Sequence, residues 1–314
     1  MSLIEQNSEQ PDDPYCVEVY CKINADLDII NRIEFREGAY KVTSNEKDRK
    51  RCPRIDQIRV VRVQDNFAKG PPWSRALGRR SLGNEEFCLQ TAAHSSFVED
   101  WDEKVRQEWL QTNNEFGIIS NPPKPKGPKD TQEVPRTCCV EFLEEEKLPY
   151  YDPHTDGKVE KLNKPLLAHT WAPGFSFSKC HLEESAPYDG FIPYVSSDIE
   201  AFARYARLWT RGYDVYTPTQ NIVYRQLAVP NIHRLEWINN WAGQKEIILK
   251  KSLRRIRSYL ENFGEGEVEV EEKLDNLGIY GIGKRRTLKQ LNDFVGIDLN
   301  AQQSRPENVS IQFI

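Results

Sequence analysis

Short apolar runs along the chain predict a series of strands. The segment IRVVRVQD at 58–65 is β-branched and bounded by Pro53 and Asn66, as is typical of a strand. EEFCLQT at 85–91 and GIIS at 117–120 are continuous apolar runs of the kind found in buried strands. Further strands are predicted at 15–24, at 137–143 and, as a strand–turn–strand, at 215–225.

Helical periodicity occupies the stretches between these strands. The segment 100–114 places Val105, Trp109 and Leu110 on one face of a helix. The segment 197–214 has a serine or aspartate at its start to cap the helix and a glycine near its end to stop it. A Gly-Pro turn leading into a short basic helix is predicted at 68–83, and a helix with outward basic residues at 234–264.

The order of these elements predicts the fold class. Strands that alternate with helices favour an α/β sandwich with a mixed, mostly parallel sheet flanked by helices. We expect one domain over residues 1–300 and a C-terminal tail at 301–314. Ligands of such sheets bind at the carboxyl ends of the strands, and the segment LQTAAH at 89–94 lies at such an end.

Composition narrows the possible partners and compartments. The net charge of −5, without a long block of Lys and Arg, argues against a nucleic-acid-binding protein. No apolar run is long enough to span a membrane, and the first residues lack the features of a signal peptide. The 7 cysteines include no CxxC pair, so we expect reduced thiols in a soluble, intracellular and most simply cytoplasmic protein.

Six stretches, in order, resemble one family of enzymes. They are AKGPPWSRAL (68–77), EEFCLQTAAHSSFVEDWDE (85–103), APGFSFSK (172–179), PYDGFIPYV (187–195), ARLWTRGYDVYTPTQNIVYR (206–225) and GIYGIGKRRTLKQLNDFVGIDL (278–299). The family is that of the N-acetylglucosaminyltransferases that modify hydroxyproline on an SCF ubiquitin-ligase adaptor, with fungal and protozoan relatives. The resemblance spans about residues 50–300 and implies a GT-A fold and a UDP-GlcNAc donor.

The resemblance also implies a divalent-cation site, from which this sequence departs. In the family an Asp-x-His strand end holds Mn²⁺ or Mg²⁺, which neutralises the diphosphate. Here Ala92 stands at the Asp position, and His94 remains. A later Asn-x-x-Tyr-His pattern is NIVYR at 221–225, with Arg225 in place of the histidine. Neither a methyl group nor a guanidinium binds a hard cation, so we expect no metal cofactor and only a remnant ligand in His94.

The resemblance assigns roles to several other residues. Of an acidic Gly-Glu-Glu motif only Glu200 is kept, and it is the candidate catalytic residue. Arg75 matches a position near the nucleotide, although a solvated helix charge explains it equally well. The glycine-rich turn before three cations is either a phosphate cradle or a basic helix start. The candidate anion-binding residues are therefore Arg75, Arg225, Lys284, Arg285 and Arg286.

The N-terminal residues depart from the family as well. Its members open with a strand and a helix that hold the uridine, whereas MSLIEQ at 1–6 resembles the end of their second strand. We therefore expect an N-terminally truncated domain with an exposed sheet edge. A protein partner, or a second copy in a homodimer, would then cover that edge.

Two functions remain open at this stage. The first is a degenerate glycosyltransferase that binds a UDP-sugar or diphosphate weakly and serves as a binding or scaffold subunit. The second is an active, metal-independent enzyme that transfers a sugar from a UDP-sugar to a protein hydroxyl. In that case Arg225 would replace the metal, because a fixed cation can stabilise a leaving diphosphate.

Overall fold

A computed structural model describes most of the chain's central and C-terminal parts. The described residues are 2–6, 33–36, 39–42, 59–63, 70–92, 95–126, 133–136, 140–144, 147–151, 157–159, 162–192, 197–225, 245–260 and 277–304. The predicted strand at 15–24 and the candidate ligand His94 lie outside the described residues.

The chain divides into two compact units. One unit comprises Met1–Glu85, Asp189–Tyr194 and Ala228–Glu246, and the other comprises Glu86–Tyr188, Val195–Leu227 and Ile247–Ile314. Two compact units can belong to one folding domain, so the expectation of one domain over residues 1–300 stays a prediction.

The first unit contains a four-stranded sheet in the order β1-β4-β3-β2. Its strands are β1 (Ser2–Gln6), β2 (Ile33–Arg36), β3 (Ala39–Val42) and β4 (Arg59–Val63). β1 pairs in parallel with β4, and the other two pairs are antiparallel. Helix α1 (Pro71–Gly78) follows β4, which confirms the predicted strand at 58–65 and the short basic helix after it.

The second unit is built on a five-stranded sheet in the order β12-β14-β7-β13-β5. These strands are β5 (Phe87–Thr91), β7 (Gly117–Ser120), β12 (Leu166–Leu167), β13 (Phe175–Lys179) and β14 (Asp214–Thr217). Two-stranded ladders also occur among the described residues of this unit. They pair β6 (Ser95–Phe97) with β15 (Val223–Arg225), β8 (Val134–Arg136) with β11 (Gly157–Val159), β9 (Val140–Phe142) with β10 (Pro149–Tyr151), and β16 (Ile297–Asp298) with β17 (Gln303–Ser304).

The sheet of the second unit is mixed, and the expectation that it is mostly parallel is wrong. Among the described strands of this sheet, the parallel neighbours are β14 and β7 alone. β13 lies between β7 and β5, and β12 lies at the edge beside β14; both run antiparallel to their neighbours. Since β13 is antiparallel to both β5 and β7, the strands β5, β7 and β14 still point the same way. We call the side where these three strands end, at Thr91, Ser120 and Thr217, the carboxyl edge, and the side where they begin the amino edge.

The second unit contains several helices, and the first of them packs on β7 and β13 of this sheet. These helices are α2 (Trp101–Gln111), α3 (His181–Ser185), α4 (Ser197–Thr210), the part of α5 (Lys245–Leu260) from Ile247 onward, and α6 (Leu288–Val295). Val105 and Trp109 of α2 are buried against Phe175, Phe177 and neighbouring residues, as the periodicity predicts. Leu110, which was expected on the same face, is 46% exposed because it follows Trp109 directly and turns away from the sheet.

Two cysteines of the second unit form a disulfide. Cys88 in β5 is bonded to Cys180, which directly follows β13. The expectation that the thiols are reduced is therefore wrong for this pair, since sequence spacing gave no sign that residues 92 positions apart would meet. Across the described residues, no helix is both long and apolar enough to cross a membrane.

Candidate functional site

The turn after β5 begins at Ala92, at the carboxyl edge, and hydrogen bonds hold both the N–H and the carbonyl of Ala92. The backbone N–H of Ala92 donates to the carbonyl of Gly174 at 3.0 Å. The hydroxyl of Ser95, the first residue of β6, donates back to the carbonyl of Ala92 at 2.8 Å. Ala92 itself is exposed, so its methyl group faces outward where the resemblance leads one to expect a carboxylate.

Arg225 lies directly beside this turn. In the antiparallel ladder of β15 and β6, Arg225 is paired with Ser95, and residues so paired have Cα atoms about 4.5–5.5 Å apart. The backbone N–H of Arg225 donates to the carbonyl of Lys124 at 3.0 Å, in the segment that follows β7. The Arg225 side chain is exposed and forms no hydrogen bond or ion pair with the described residues. The backbone of Arg225 therefore lies beside the Ala92 turn, and its side chain is exposed.

Two buried oxygens near the carboxyl edge were not predicted from the sequence. Oγ1 of Thr217, at the end of β14, and Oδ1 of Asn221 have no hydrogen-bond partner among the described residues. The amide of Asn221 is fixed in place because its Nδ2 donates to the carbonyl of Glu133 at 2.9 Å. Buried polar atoms are usually satisfied by protein, water or ligand, so these oxygens add unused hydrogen-bonding capacity to this region.

Glu200 lies in the half of α4 that is farther from the amino edge. The helix ends at Thr210, close to where the chain enters β14 at Asp214. Arg204, further toward its start, stacks on Tyr188, which donates to Gln90 near the end of β5. Ten residues of helix place Glu200 about 15 Å from the Thr210 end, toward the carboxyl edge. Its side chain is 5% exposed. Glu200 is therefore on the same side of the unit as Arg225.

The glycine-rich turn before Lys284 lies against the end of α4. The N–H of Gly283 donates to Oγ1 of Thr210 at 2.8 Å, and the N–H groups of Arg285 and Arg286 donate to the carbonyl of Thr210 at 2.9 and 3.2 Å. A Cβ atom at position 283 would lie 2.4 Å from that carbonyl oxygen. Glycine is needed here because two backbones approach closely, and the turn's N–H groups are used by the protein itself.

The side chains of Arg285 and Arg286 are held at the amino edge. Arg285 stacks on Phe116, just before β7, with its guanidinium carbon 4.5 Å from the ring centre. Arg286 forms an ion pair with Asp214, the first residue of β14, at 2.7 Å and stacks on Trp209 at 4.8 Å. The structure thus places these two arginines at the opposite edge from Arg225.

The remaining predicted anion-binding residues are distributed as follows. Lys284 is exposed and lies between Gly283 and Arg285, hence also at the amino edge. Arg75 is half-buried in α1 of the first unit. Of the four candidates in the second unit, Arg225 is the one that the structure places at the carboxyl edge.

Neither Ala92 nor Arg225, the two described residues at the family's ligand positions, can ligate a divalent cation. Mn²⁺ and Mg²⁺ require oxygen or imidazole donors, whereas Ala92 offers a methyl group and Arg225 a positive charge. Among the described residues, no three His, Cys, Asp or Glu side chains form a cluster suited to a metal ion. Arg225 is a cation at this edge that could neutralise part of a diphosphate's charge, and Lys124 and Lys126 lie in the segment to which its backbone is bonded.

Comparison with known proteins identifies the family. Residues 7–301 match the family model described as glycosyltransferase (GlcNAc). The chain therefore belongs to this glycosyltransferase family. A search of curated proteins finds no match.

One solved structure gives a more distant likeness. The chain is similar to the crystal structure of GalNAc-T7 with UDP, GalNAc and Mn²⁺, at 11% sequence identity and a TM-score of 0.41. The likeness covers 81% of this chain and 45% of that one, so this chain spans less than half of that protein's length. The observed mixed sheet with its helices fits an α/β, GT-A-like domain, as membership of the glycosyltransferase family leads one to expect.

Proposed function

From the family membership and the position of Arg225, we propose that this chain binds the diphosphate of a UDP-sugar without a divalent cation. In this proposal the chain is catalytically degenerate and serves as a binding or scaffold subunit. The observation that carries it is the pairing of Arg225 with Ser95, beside Ala92. A cation thus replaces the ligands that would hold a metal.

The chemistry of a guanidinium suits this role. Its planar N–H groups can donate two parallel hydrogen bonds to a phosphate, and such charge-assisted bonds are stronger than neutral ones. The contact involves the phosphates and not the base. UDP and ADP are therefore expected to bind with similar affinities.

A second candidate function is an active, metal-independent transferase. The observation that favours it is Glu200, a carboxylate buried in α4 on the same side of the unit as Arg225. A fixed guanidinium could stabilise the leaving diphosphate while Glu200 contacts the sugar or the acceptor. The acceptor would be a protein hydroxyl, as in the hydroxyproline-modifying enzymes that the sequence resembles.

Titration calorimetry with UDP tests the binding proposal. We expect binding in EDTA that Mn²⁺ does not strengthen. Removing the guanidinium in Arg225→Ala should weaken it about 10- to 100-fold, the loss expected for charge-assisted hydrogen bonds. Arg285→Ala is the matched control, because Arg285 is an exposed arginine at the other edge. UDP binding that requires Mn²⁺, or that survives Arg225→Ala unchanged, would contradict the proposal.

A turnover assay with UDP-GlcNAc separates the two candidate functions. We expect no hydrolysis or transfer by the natural chain. The triple variant Ala92→Asp, Arg225→His, Ala201→Glu restores the family's residues and provides the comparison. Turnover by the natural chain in EDTA that is lost in Arg225→Ala would establish the metal-independent transferase instead.

A further inference from the structure

A hydrogen-bonded glutamine anchors the end of β5. Gln90 lies two residues before Ala92, and its Nε2 donates to the carbonyl of Pro173 at 2.7 Å. The next residue, Gly174, accepts from the N–H of Ala92 at 3.0 Å. Two hydrogen bonds therefore connect the end of β5 to the segment Pro173–Gly174, one from a side chain and one from the backbone.

Tyr188 holds the other end of the Gln90 amide. Its hydroxyl donates to Oε1 of Gln90 at 2.6 Å, and its side chain is 4% exposed. Because both polar atoms of the amide are engaged, the orientation of Gln90 is fixed. Without the Tyr188 hydroxyl, Oε1 would lose that partner and the amide could rotate away from Pro173.

Tyr188 is in turn packed against the helix that carries Glu200. The guanidinium carbon of Arg204 lies 3.6 Å from the centre of the Tyr188 ring. Arg204 is itself fixed, since it donates to the carbonyl of Ala186 at 2.6 Å and pairs with Glu183 at 2.8 Å. Arg204 and Glu200 are four residues apart in α4 and so lie on one face of that helix.

We propose that Tyr188 is a positioning residue for the anion site, a role that rests on the proposed function. Through Gln90 it sets the position of the turn that contains Ala92, against which Arg225 is placed by its pairing with Ser95. Through Arg204 it ties that turn to the helix of Glu200. Loss of the Tyr188 hydroxyl should therefore loosen the turn and weaken binding of the diphosphate, although Tyr188 touches no ligand.

A second buried tyrosine provides a matched control. Tyr213 is 1% exposed, and its hydroxyl lies 2.8 Å from Nδ1 of His181 and 2.6 Å from Oγ of Ser185. It precedes β14 and so belongs to the amino edge. Tyr188→Phe and Tyr213→Phe each remove one buried, hydrogen-bonded hydroxyl, but at opposite edges of the sheet.

The experiment combines amide hydrogen exchange with UDP titration on the full-length chain in EDTA. In Tyr188→Phe we expect faster exchange at Ala92 and a higher Kd for UDP, each by about three- to tenfold, the effect of one hydrogen bond. Tyr213→Phe should change neither quantity. Gln90→Met removes this bond together with the bond to Pro173 and should have at least as large an effect. Adding Tyr188→Phe to Gln90→Met should then change nothing further, because their shared bond is already lost.

Each possible result decides the inference. It is overturned if Tyr188→Phe leaves the Ala92 exchange unchanged, or if Tyr213→Phe accelerates it equally. It is also overturned if the Ala92 turn loosens while the Kd for UDP stays constant. If the natural chain binds no UDP at all, the proposed function fails, and faster exchange at Ala92 in Tyr188→Phe alone still supports the positioning of the turn.

Discussion

The two edges of the second unit's sheet both carry arginines, but they use them differently. At the amino edge, Arg286 is paired with Asp214 and Arg285 is stacked on Phe116. At the carboxyl edge, Arg225 is exposed and has no hydrogen-bond or ion-pair partner among the described residues. The charge of a residue therefore does not reveal its role, because the groups around it decide whether it serves the fold or a ligand.

The difference follows from which ends of helices and strands meet at each edge. Helix α4 ends at the amino edge, and the last carbonyls of a helix need donors and favour nearby positive charge. The N–H groups of the 283–286 turn and the cations of that turn satisfy this need. At the carboxyl edge Arg225 ends a strand, and its backbone rather than its side chain makes the structural contacts.

The largest effect on stability is expected from the disulfide at the amino edge. Cys88 and Cys180 close a loop with a sequence separation of 92. By the chain-entropy estimate, such a cross-link stabilises the fold by about 4–5 kcal/mol. Cys88→Ser with Cys180→Ser should lower the free energy of unfolding by up to that amount in urea denaturation. A double variant as stable as the natural chain would show that the bond does not form.

A pH-dependent effect is expected from His169, which is 7% exposed and lies near the amino edge after β12. Burial and then the charge of Arg136, 3.4 Å from Nδ1, lower the pKa of His169 from 6.5 to about 4. Between these values the unfolded chain binds a proton at this residue and the folded chain does not. The free energy of unfolding should therefore fall as the pH falls from 6.5 to 4, by about 3 kcal/mol in all.

His169→Gln is the control for this titration. It should remove that part of the pH dependence while leaving the stability at pH 7 similar, because a neutral side chain replaces a neutral side chain. Denaturation curves for the two proteins at several pH values provide the measurement. Identical pH dependence in both would mean that His169 titrates normally in the folded chain.

A smaller loss of stability is expected from Gly283→Ala. The added Cβ would lie 2.4 Å from the carbonyl oxygen of Thr210, so the turn would have to move away from the end of α4. Overpacking of this kind costs about 1–3 kcal/mol. UDP affinity should not change, since the turn lies at the amino edge. Gly281→Ala is the matched control, because its Cβ would meet no atom closer than 3.4 Å. A large loss of UDP affinity in Gly283→Ala would show that this turn belongs to the binding site.

The smallest effect on stability is expected from Arg225→Ala. An exposed side chain without a partner among the described residues should contribute within about 0.5 kcal/mol to the free energy of unfolding. Arg286→Ala breaks the half-buried pair with Asp214 and should cost more, about 1–3 kcal/mol. The two variants should therefore have different effects. Arg225→Ala should weaken UDP binding, whereas Arg286→Ala should lower the free energy of unfolding. If both mainly lowered stability, the distinction between the edges would be wrong.

Local patterns in the sequence determined the elements of this protein. The buried run at Gly117–Ser120 is a strand, and the periodic segments contain the helices Trp101–Gln111 and Ser197–Thr210, although both end earlier than predicted. Such patterns arise from residues that are neighbours in the chain, so they can be recognised without the fold. The identity of Arg225 at a metal-ligand position was likewise available from the resemblance.

Only the tertiary structure decided which of these elements meet. A continuous apolar run fits a parallel or an antiparallel neighbour equally well, so the antiparallel β13 between β5 and β7 could not be foreseen. The sequence left the glycine-rich turn open as a phosphate cradle or a basic helix start, and in the structure its N–H groups contact the end of α4, because a backbone rich in N–H donors suits either partner. Arg225 acquires its proposed role only because strand pairing brings it opposite Ser95. Contacts between residues distant in sequence depend on the whole chain's packing, and no local pattern encodes them.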